Sequence, residues 1–512
     1  MSLLRGTALL LALPALAGAA SGVVSLDGVW VYAYDLDAEY AGEVHIPHNL
    51  RDFSDEPVGS GRTLWFRRSF AAPEIRPGQR AVLRVLNAPE PEIWINGRLV
   101  ATGAQDSFFL DADVSGFLQS GRNLIALRTK VPGVQGGVRL HVLDPVHFET
   151  DGVQLDTPGW QGGATALRLR TAIENDSTDP TECQIGLRVA GPGGRLLAEA
   201  FSTLSAPRGR TDIELLTPRI ADPPLWSPSS PQLATVSVTL RVDGAESETH
   251  EIAYGFKWFR FDAEKGFSLN GKALKLRGVV YTTPGPRKFP NRESLWDYEI
   301  DLLKGMGVNF IRPTPGMDDT FFSHCDRAGI LVTARVHDYG DTEQLWENMR
   351  RDVRQKYNHA SLLTWNVVGE GAWAGRAEFH SETARALMAH DSTHPVQCNE
   401  LGWRSPGTVG LIDVDIAGNG NYTGWYEGTL GHIGPYMDSY RDLVRERYGR
   451  VLPILVSNYG AASDPEIHTT EPRRNDYSEE YHTEFHKRWH RELEAREWMS
   501  GGLIFCYRDI DG

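Results

Sequence analysis

Two hydrophobic periods divide this chain. Between residues 24 and 145 apolar and polar residues alternate in short runs: GVWVYAY, GEVHIPH, TLWFRRSF, AVLRVLN, EIWINGRLV and NLIALRT. Side chains of a strand point to opposite faces in turn, so this period of two predicts half-buried strands. Gly, Pro and Asn separate the runs, and Asn96-Gly97 is a tight-turn signal. The block predicts a β-sandwich or jelly roll. Residues 146–262 keep the same mode in ALRLRTAIEN, CQIGLRVAG and ATVSVTLRV, with Pro/Ser punctuation at 223–232. Some hundred residues of short strands predict a second, immunoglobulin-like sandwich.

From residue 263 to 512 the period changes. Apolar strand-length runs alternate with helical patterns: KLRGVVY, NFIRP, ILVTARVHD, SLLTWNVVGE, PVQCNEL, VDIAGNGNY, PILVSNY and GGLIFCY. Between them, Leu295, Leu302, Leu303 and Met306 share one predicted helix face, and Leu345, Met349, Val353 and Tyr357 another. Strands alternating with helices predict a C-terminal (β/α)8 TIM barrel, here with the last helix missing from the pattern. The expected fold class is multidomain β plus α/β.

In such a barrel, residues that end a strand face the catalytic mouth. Glu370 ends the fourth run and Asn458 the seventh. Glu400 ends the fifth and Asp338 the third, while Asp415 lies in the sixth. The alternative for each of these three carboxylates is a helix cap or salt-bridge partner. Trp365, Trp373 and Trp425 lie near strand ends and could offer flat ring faces to a ligand there.

Composition narrows the class. A net charge of −15 over 512 residues offers no electrostatic footprint for nucleic acid or an anionic membrane. Residues 1–21 carry one basic residue, an apolar stretch and small residues near 17–20. That layout predicts a signal peptide cleaved near Ala19 or Ala20, and hence a periplasmic or secreted protein. The stretch is short for a membrane span. Four scattered cysteines, Cys183, Cys325, Cys398 and Cys506, have neither CxxC nor His-partner spacing, and Cys398 and Cys506 read as small buried apolar residues. His482 and His486 stand at a spacing that can bind metal, although a solvated helix is the blander reading.

Several segments together resemble glycoside hydrolase family 2, the β-galactosidase and β-glucuronidase group. They are Leu26–Trp30, INGRLV, LWSPSSPQL, the barrel entrance GFKWFRFDAEKGFSLNGKALKLRGV, and the run from Cys325 to Ile330. The resemblance covers nearly the whole chain after residue 21. It implies a sugar-binding-like jelly roll, an immunoglobulin-like domain and a catalytic-type barrel. It further implies an exo-acting retaining glycosidase with a Glu acid/base on strand four and a Glu nucleophile on strand seven. Glu370 matches the first and Asn458 replaces the second. Arg312 is kept, but the His of the stretch after it is gone. The Asn before the acid/base is Gly369, and the tryptophan of strand eight is Phe505. Tyr422 and Gly424-Trp425-Tyr426 match the glucuronidase-like pattern. No cofactor or metal is implied; the partner implied is a carbohydrate, and the oligomeric state stays open.

An amide cannot form a glycosyl ester, so double displacement through residue 458 is chemically closed. The remaining readings are substrate assistance with Asn458 positioning the substrate, water activation by another carboxylate such as Glu400, a glycan-binding pseudoenzyme, and a substitution in an otherwise active enzyme. The reading taken forward has Glu370 as general acid/base, raised by an apolar surrounding. Asn458 positions substrate, and Arg312, Tyr422, Trp425, Glu400, Trp365 and Phe505 complete the pocket. The alternative is a carbohydrate-binding protein without turnover.

Overall fold

The computed structural model describes residues 22–34, 42–47, 62–104, 108–282, 292–314, 317–336, 343–367, 377–398 and 413–508. The leader-like residues 1–21 lie outside these, as do Asp338, Gly369, Glu370, Trp373, Glu400 and residues 509–512.

The N-terminal part is a sandwich of a six-stranded and a four-stranded antiparallel sheet, whose strands run from Gly22 to Leu143. Alternate residues such as Phe66, Leu83, Ile93, Ile125 and Leu127 meet between the sheets in one core. A second sandwich follows, with two four-stranded sheets between Val146 and Tyr254. In its strand Thr181–Ala190, the residues Cys183, Ile185, Leu187 and Val189 are buried, so the period of two read from the sequence is the packing pattern.

Eight parallel strands form the barrel: β1 (Leu276–Tyr281), β2 (Phe310–Pro313), β3 (Leu331–Arg335), β4 (Leu362–Asn366), β5 (Val396–Gln397), β6 (Ala417–Gly420), β7 (Ile454–Tyr459) and β8 (Met499–Ile504). Hydrogen-bonded neighbours run β5-β4-β3-β2-β1-β8-β7-β6. A parallel bridge between Gln397 and Ile416 joins the two ends of that order and brings the sheet to near closure. Successive residues serve different layers. Val280, Phe310, Leu331, Leu363, Ile416, Leu455 and Leu503 fill an inner core. Val279, Ile311, Val332, Leu362, Ala417 and Val456 pack outward on the helices. Gly501 sits where β8 crosses closest to β1: its φ is 149°, and a Cβ there would lie 2.1 Å from the Leu276 carbonyl oxygen.

The helices are α1 (Arg292–Gly305), α2 (Asp319–Ala328), α3 (Glu343–Lys356), α4 (Ala377–His390), α5 (Ile433–Tyr448) and α6 (Glu479–Glu494). The Asp318 side chain caps α2 through the Thr320 and Phe321 amides, and Gly329 ends it in the left-handed region at φ 77°. The Cys325–Ile330 run is therefore a helix end leading into β3. One expected helix face needs correction. Leu302 and Met306 of the α1 region are exposed, and the buried stripe is Leu295, Trp296, Glu299, Ile300 and Leu303. On α3, Met349 and Val353 are buried as expected, as is Tyr357 just beyond its end.

Long-range polar contacts tie the sandwiches to the barrel. Trp226 Nε1 donates to the Asp326 carbonyl at 2.8 Å. Lys257 Nζ donates to the carbonyls of Ala360 and Leu362. Arg139 pairs with Asp319 at 2.8 Å, linking the first sandwich to the start of α2. Among the described residues, no helix is long and apolar enough to cross a membrane.

Candidate active site

Arg312 and Asn458 come from strands separated in the sheet order by β1 and β8, so side chains that meet must cross the barrel interior. They do meet. Arg312 Nη2 donates to Asn458 Oδ1 at 2.7 Å, and its Nη1 donates to the Ser457 carbonyl at 3.2 Å. Arg312 is 3% exposed and Asn458 is 0% exposed. A guanidinium has only donors, so it fixes the amide with its oxygen toward Arg312 and its NH2 turned away. The strand shifts register here: between Val456 and Tyr459 the pairing of β7 with β8 is irregular. Such a bulge re-aims side chains at a strand end.

Other polar groups share this interior. Asn366, which ends β4 four residues before Glu370, is fully buried. Gln397 Nε2 donates to Thr333 Oγ1 at 3.0 Å across β5 and β3. Past β6, the Asn421 amide donates to the Asn458 carbonyl at 2.7 Å, and Asn421 Oδ1 accepts from the Thr423 amide at 2.8 Å. Asn421 thus braces the backbone of residue 458. Its only visible sequence signal was an Asn-Tyr-Thr triplet, which burial at 1% exposure closes to glycan attachment.

The aromatic residues divide differently from expectation. Trp365 is corrected from sugar platform to core: it is 0% exposed, and its Nε1 donates to Asp391 Oδ2 at 2.7 Å. Burial would raise the Asp391 carboxyl, but its His394, Trp365 and Thr393 partners outweigh that and hold it below the usual carboxylate range. Trp425 is likewise corrected. It is 4% exposed and packs against Tyr477 and Tyr481, with ring centroids 5.3 and 6.3 Å away. Its neighbour Tyr426 is 59% exposed and lies 5.3 Å from half-buried Tyr422, and Tyr477 is exposed as well. Phe505 is half-buried against the inner core. Asp415 is exposed just before β6, where it accepts from the Val396 amide of β5 at 2.9 Å, neither a helix cap nor an ion pair in that contact. Cys506, expected buried, is half-buried, and its Sγ donates to the Arg508 carbonyl at 2.7 Å.

Helix α6 descends from the mouth behind β7. Ser478 caps it by accepting from the Tyr481 amide at 3.1 Å. Its Trp489 ring stacks on Tyr459 at 4.7 Å, the residue next to Asn458, and Tyr481 donates to the Gly424 carbonyl. His486 lies 5.9 Å from the Tyr459 ring. Burial, and then neighbouring His482, push His486 down to about 4.

A nearly closed eight-stranded parallel barrel, with a buried Arg–amide pair at its strand ends and two sandwiches before it, defines a multidomain TIM-barrel protein. Two family models agree: Glycosyl hydrolases family 2 over residues 154–257, and the TIM barrel domain of that family over residues 263–507. The chain belongs to glycosyl hydrolase family 2, whose members hydrolyse O-glycosyl bonds. It is 25% identical over 356 residues to a β-glucuronidase of Bacteroides fragilis, covering 65% of this chain and 50% of that one. It is 22% identical over 566 residues to the β-glucuronidase of Mus musculus, covering 95% and 85%. A Bacteroides uniformis β-glucuronidase structure superposes with a TM-score of 0.78 at 24% identity, covering 95% of this chain and 65% of that one. The Dictyoglomus thermophilum β-D-glucuronidase gives 0.76 at 19% identity, covering 97% and 92%. At these identities the structural likenesses establish the fold. The chain spans 38% to 54% of the length of the first curated relatives it matches.

Proposed function

We propose that this chain acts on β-linked glycosides at the C-terminal mouth of its barrel, with Glu370 as general acid and Asn458 as a fixed amide that positions substrate. The Arg312–Asn458 contact carries this reading. With Oδ1 held by the guanidinium, the NH2 is the end of the amide turned away from Arg312, and a sugar that reached it would meet a donor next to the scissile bond. An amide so placed attacks nothing, and the bond is broken by a nucleophile from the substrate or by water, while Glu370 protonates the leaving oxygen. Tyr426, with Tyr422, offers the exposed ring for a sugar face. The names of the relatives make glucuronides and galactosides the first substrates to try.

The second reading, glycan binding without turnover, is favoured by that same full burial of an amide where the family resemblance places a nucleophile. A panel of aryl β-glycosides, run on the parent chain and on Glu370→Gln, separates the two. Turnover in the parent that falls by at least about a hundredfold in the variant supports hydrolysis. No turnover in the parent, with glycan binding equal in both, supports binding alone.

We also propose that residues 1–21 direct export. N-terminal sequencing of the mature protein from a secreting host tests this, with a start near residue 20 or 21 expected.

A further inference from the structure

Two loops on the C-terminal side of the barrel enclose a cavity that shares no lining residue with the Arg312–Asn458 pair or with Tyr422 and Tyr426. Its volume is about 520 Å3, within the range of small-ligand sites. Residues 428–431 after β6, residues 472–474 after β7 and Tyr481 of α6 line it. The two guanidinium groups on its wall differ. Arg473 Nη2 pairs with Glu471 at 2.9 Å, so its charge is matched within its own loop. Arg474 pairs with no carboxylate among the described residues. Its Nη1 donates to the Gly428 carbonyl at 2.9 Å, which ties one loop to the other. The other carboxylates of that loop and of the start of α6 are engaged elsewhere. Asp476 accepts from the Arg473 amide at 2.6 Å and from the Ser478 hydroxyl at 2.8 Å. Glu480 accepts from the Thr469 amide and, like Glu479, faces His468.

We propose that this cavity binds the oxyanion of an acidic saccharide, a carboxylate or a sulfate, through Arg474. A guanidinium held by a neutral carbonyl keeps its full charge, and its other N–H donors form a planar fork that matches an oxyanion. Leu430, Pro472 and Tyr481 add apolar wall against which the ring of a sugar can rest. Tyr481 also donates to the Gly424 carbonyl, which joins the cavity to the turn carrying the exposed Tyr426 ring. The acidic surface of a chain of net charge −15 repels such ligands elsewhere, so a cationic cavity is where one would settle. The cavity is then a second saccharide subsite beside the mouth, selecting for charge on a sugar away from the bond that Glu370 would help to break. The saccharide part rests on the carbohydrate reading proposed above; the oxyanion part does not.

The test is calorimetric titration of the full-length chain with glucose 6-sulfate, glucuronate, glucose and sodium sulfate, on the parent, Arg474→Gln and Arg474→Lys. Arg474 is exposed, and a Gln amide can still donate to the Gly428 carbonyl, so the fold and the loop tie survive. Both acidic sugars should bind the parent saturably, and glucose at least about tenfold more weakly. Arg474→Gln should weaken both acidic sugars by at least about tenfold, and Arg474→Lys, which keeps the charge but not the fork, should recover part of that. No saturable binding of either acidic sugar, or affinities in Arg474→Gln within about twofold of the parent, overturns the proposal. Sodium sulfate binding as tightly as glucose 6-sulfate overturns its saccharide part. Loss of turnover in Glu370→Gln, or its absence in the parent, changes none of these affinities, so hydrolysis and the Arg474 cavity stand or fall separately.

Discussion

The Arg312 guanidinium holds the Asn458 side-chain oxygen at 2.7 Å inside the barrel, with both residues buried. A carboxylate at residue 458 would meet the same guanidinium as an ion pair, which keeps a carboxylate ionised and ready to attack. Asn458→Glu should therefore create retaining hydrolysis of an aryl β-glycoside, detectable above the parent rate by chromophore release. It should be lost again in the Glu370→Gln double variant. If Asn458→Glu folds and binds glycan yet turns over nothing, Glu370 is not placed to act as its acid.

Removing the guanidinium tests the other half of the pair. Arg312→Met would remove this donor from the Asn458 oxygen and the Ser457 carbonyl inside the barrel, at a cost of about 1–3 kcal/mol. Thermal unfolding should show a lower midpoint, and glycan affinity should fall with it. Arg312→Lys supplies one point donor rather than a fork and should recover only part of the loss.

Trp365 and Tyr426 should differ in what their loss costs. Trp365→Phe removes the donor to buried Asp391, so stability should fall by about 1–3 kcal/mol, while affinity of the correctly folded fraction stays unchanged. Tyr426→Ala removes an exposed ring and should weaken glycan binding about fivefold to tenfold with little change in unfolding midpoint. Equilibrium binding and melting on both variants decide the matter.

A pH dependence should come from the first sandwich. His141 is buried, and burial followed by the Arg84 charge pushes it down to about 4, with Asp111, Asp151 and Arg139 also facing it. Its folded value lies below its unfolded value near 6.5, so its contribution to stability is complete above about 6.5 and is lost as pH falls towards 4. The melting temperature should drop over that window, and His141→Gln should flatten the drop.

Much of the architecture was legible because its signals are local. Alternation in Thr181–Ala190 is alternation of burial, and the apolar runs from KLRGVVY to GGLIFCY are the eight barrel strands. The faces of α1 were read less well. Leu302 and Met306 belong to the helical period but fall on its solvent side, whereas Trp296 and Ile300 pack inward. A period gives the width of a stripe, and only the neighbour it packs on fixes its centre.

The sequence by itself determined the sandwich and barrel periods, the kinship and the amide at residue 458, because composition and spacing along the chain carry them. Tertiary structure decided what those residues face. It alone brought Arg312 to Asn458 across two intervening strands, because closing the sheet puts distant strand ends inside one ring. It sent the Trp365 indole to Asp391 and left the Tyr426 ring exposed. It put the Nε2 atoms of His482 and His486 within hydrogen-bond distance, with the ring planes inclined by 75°. Direction at a strand end depends on bulges and on what lies opposite, and neither is written in the local sequence.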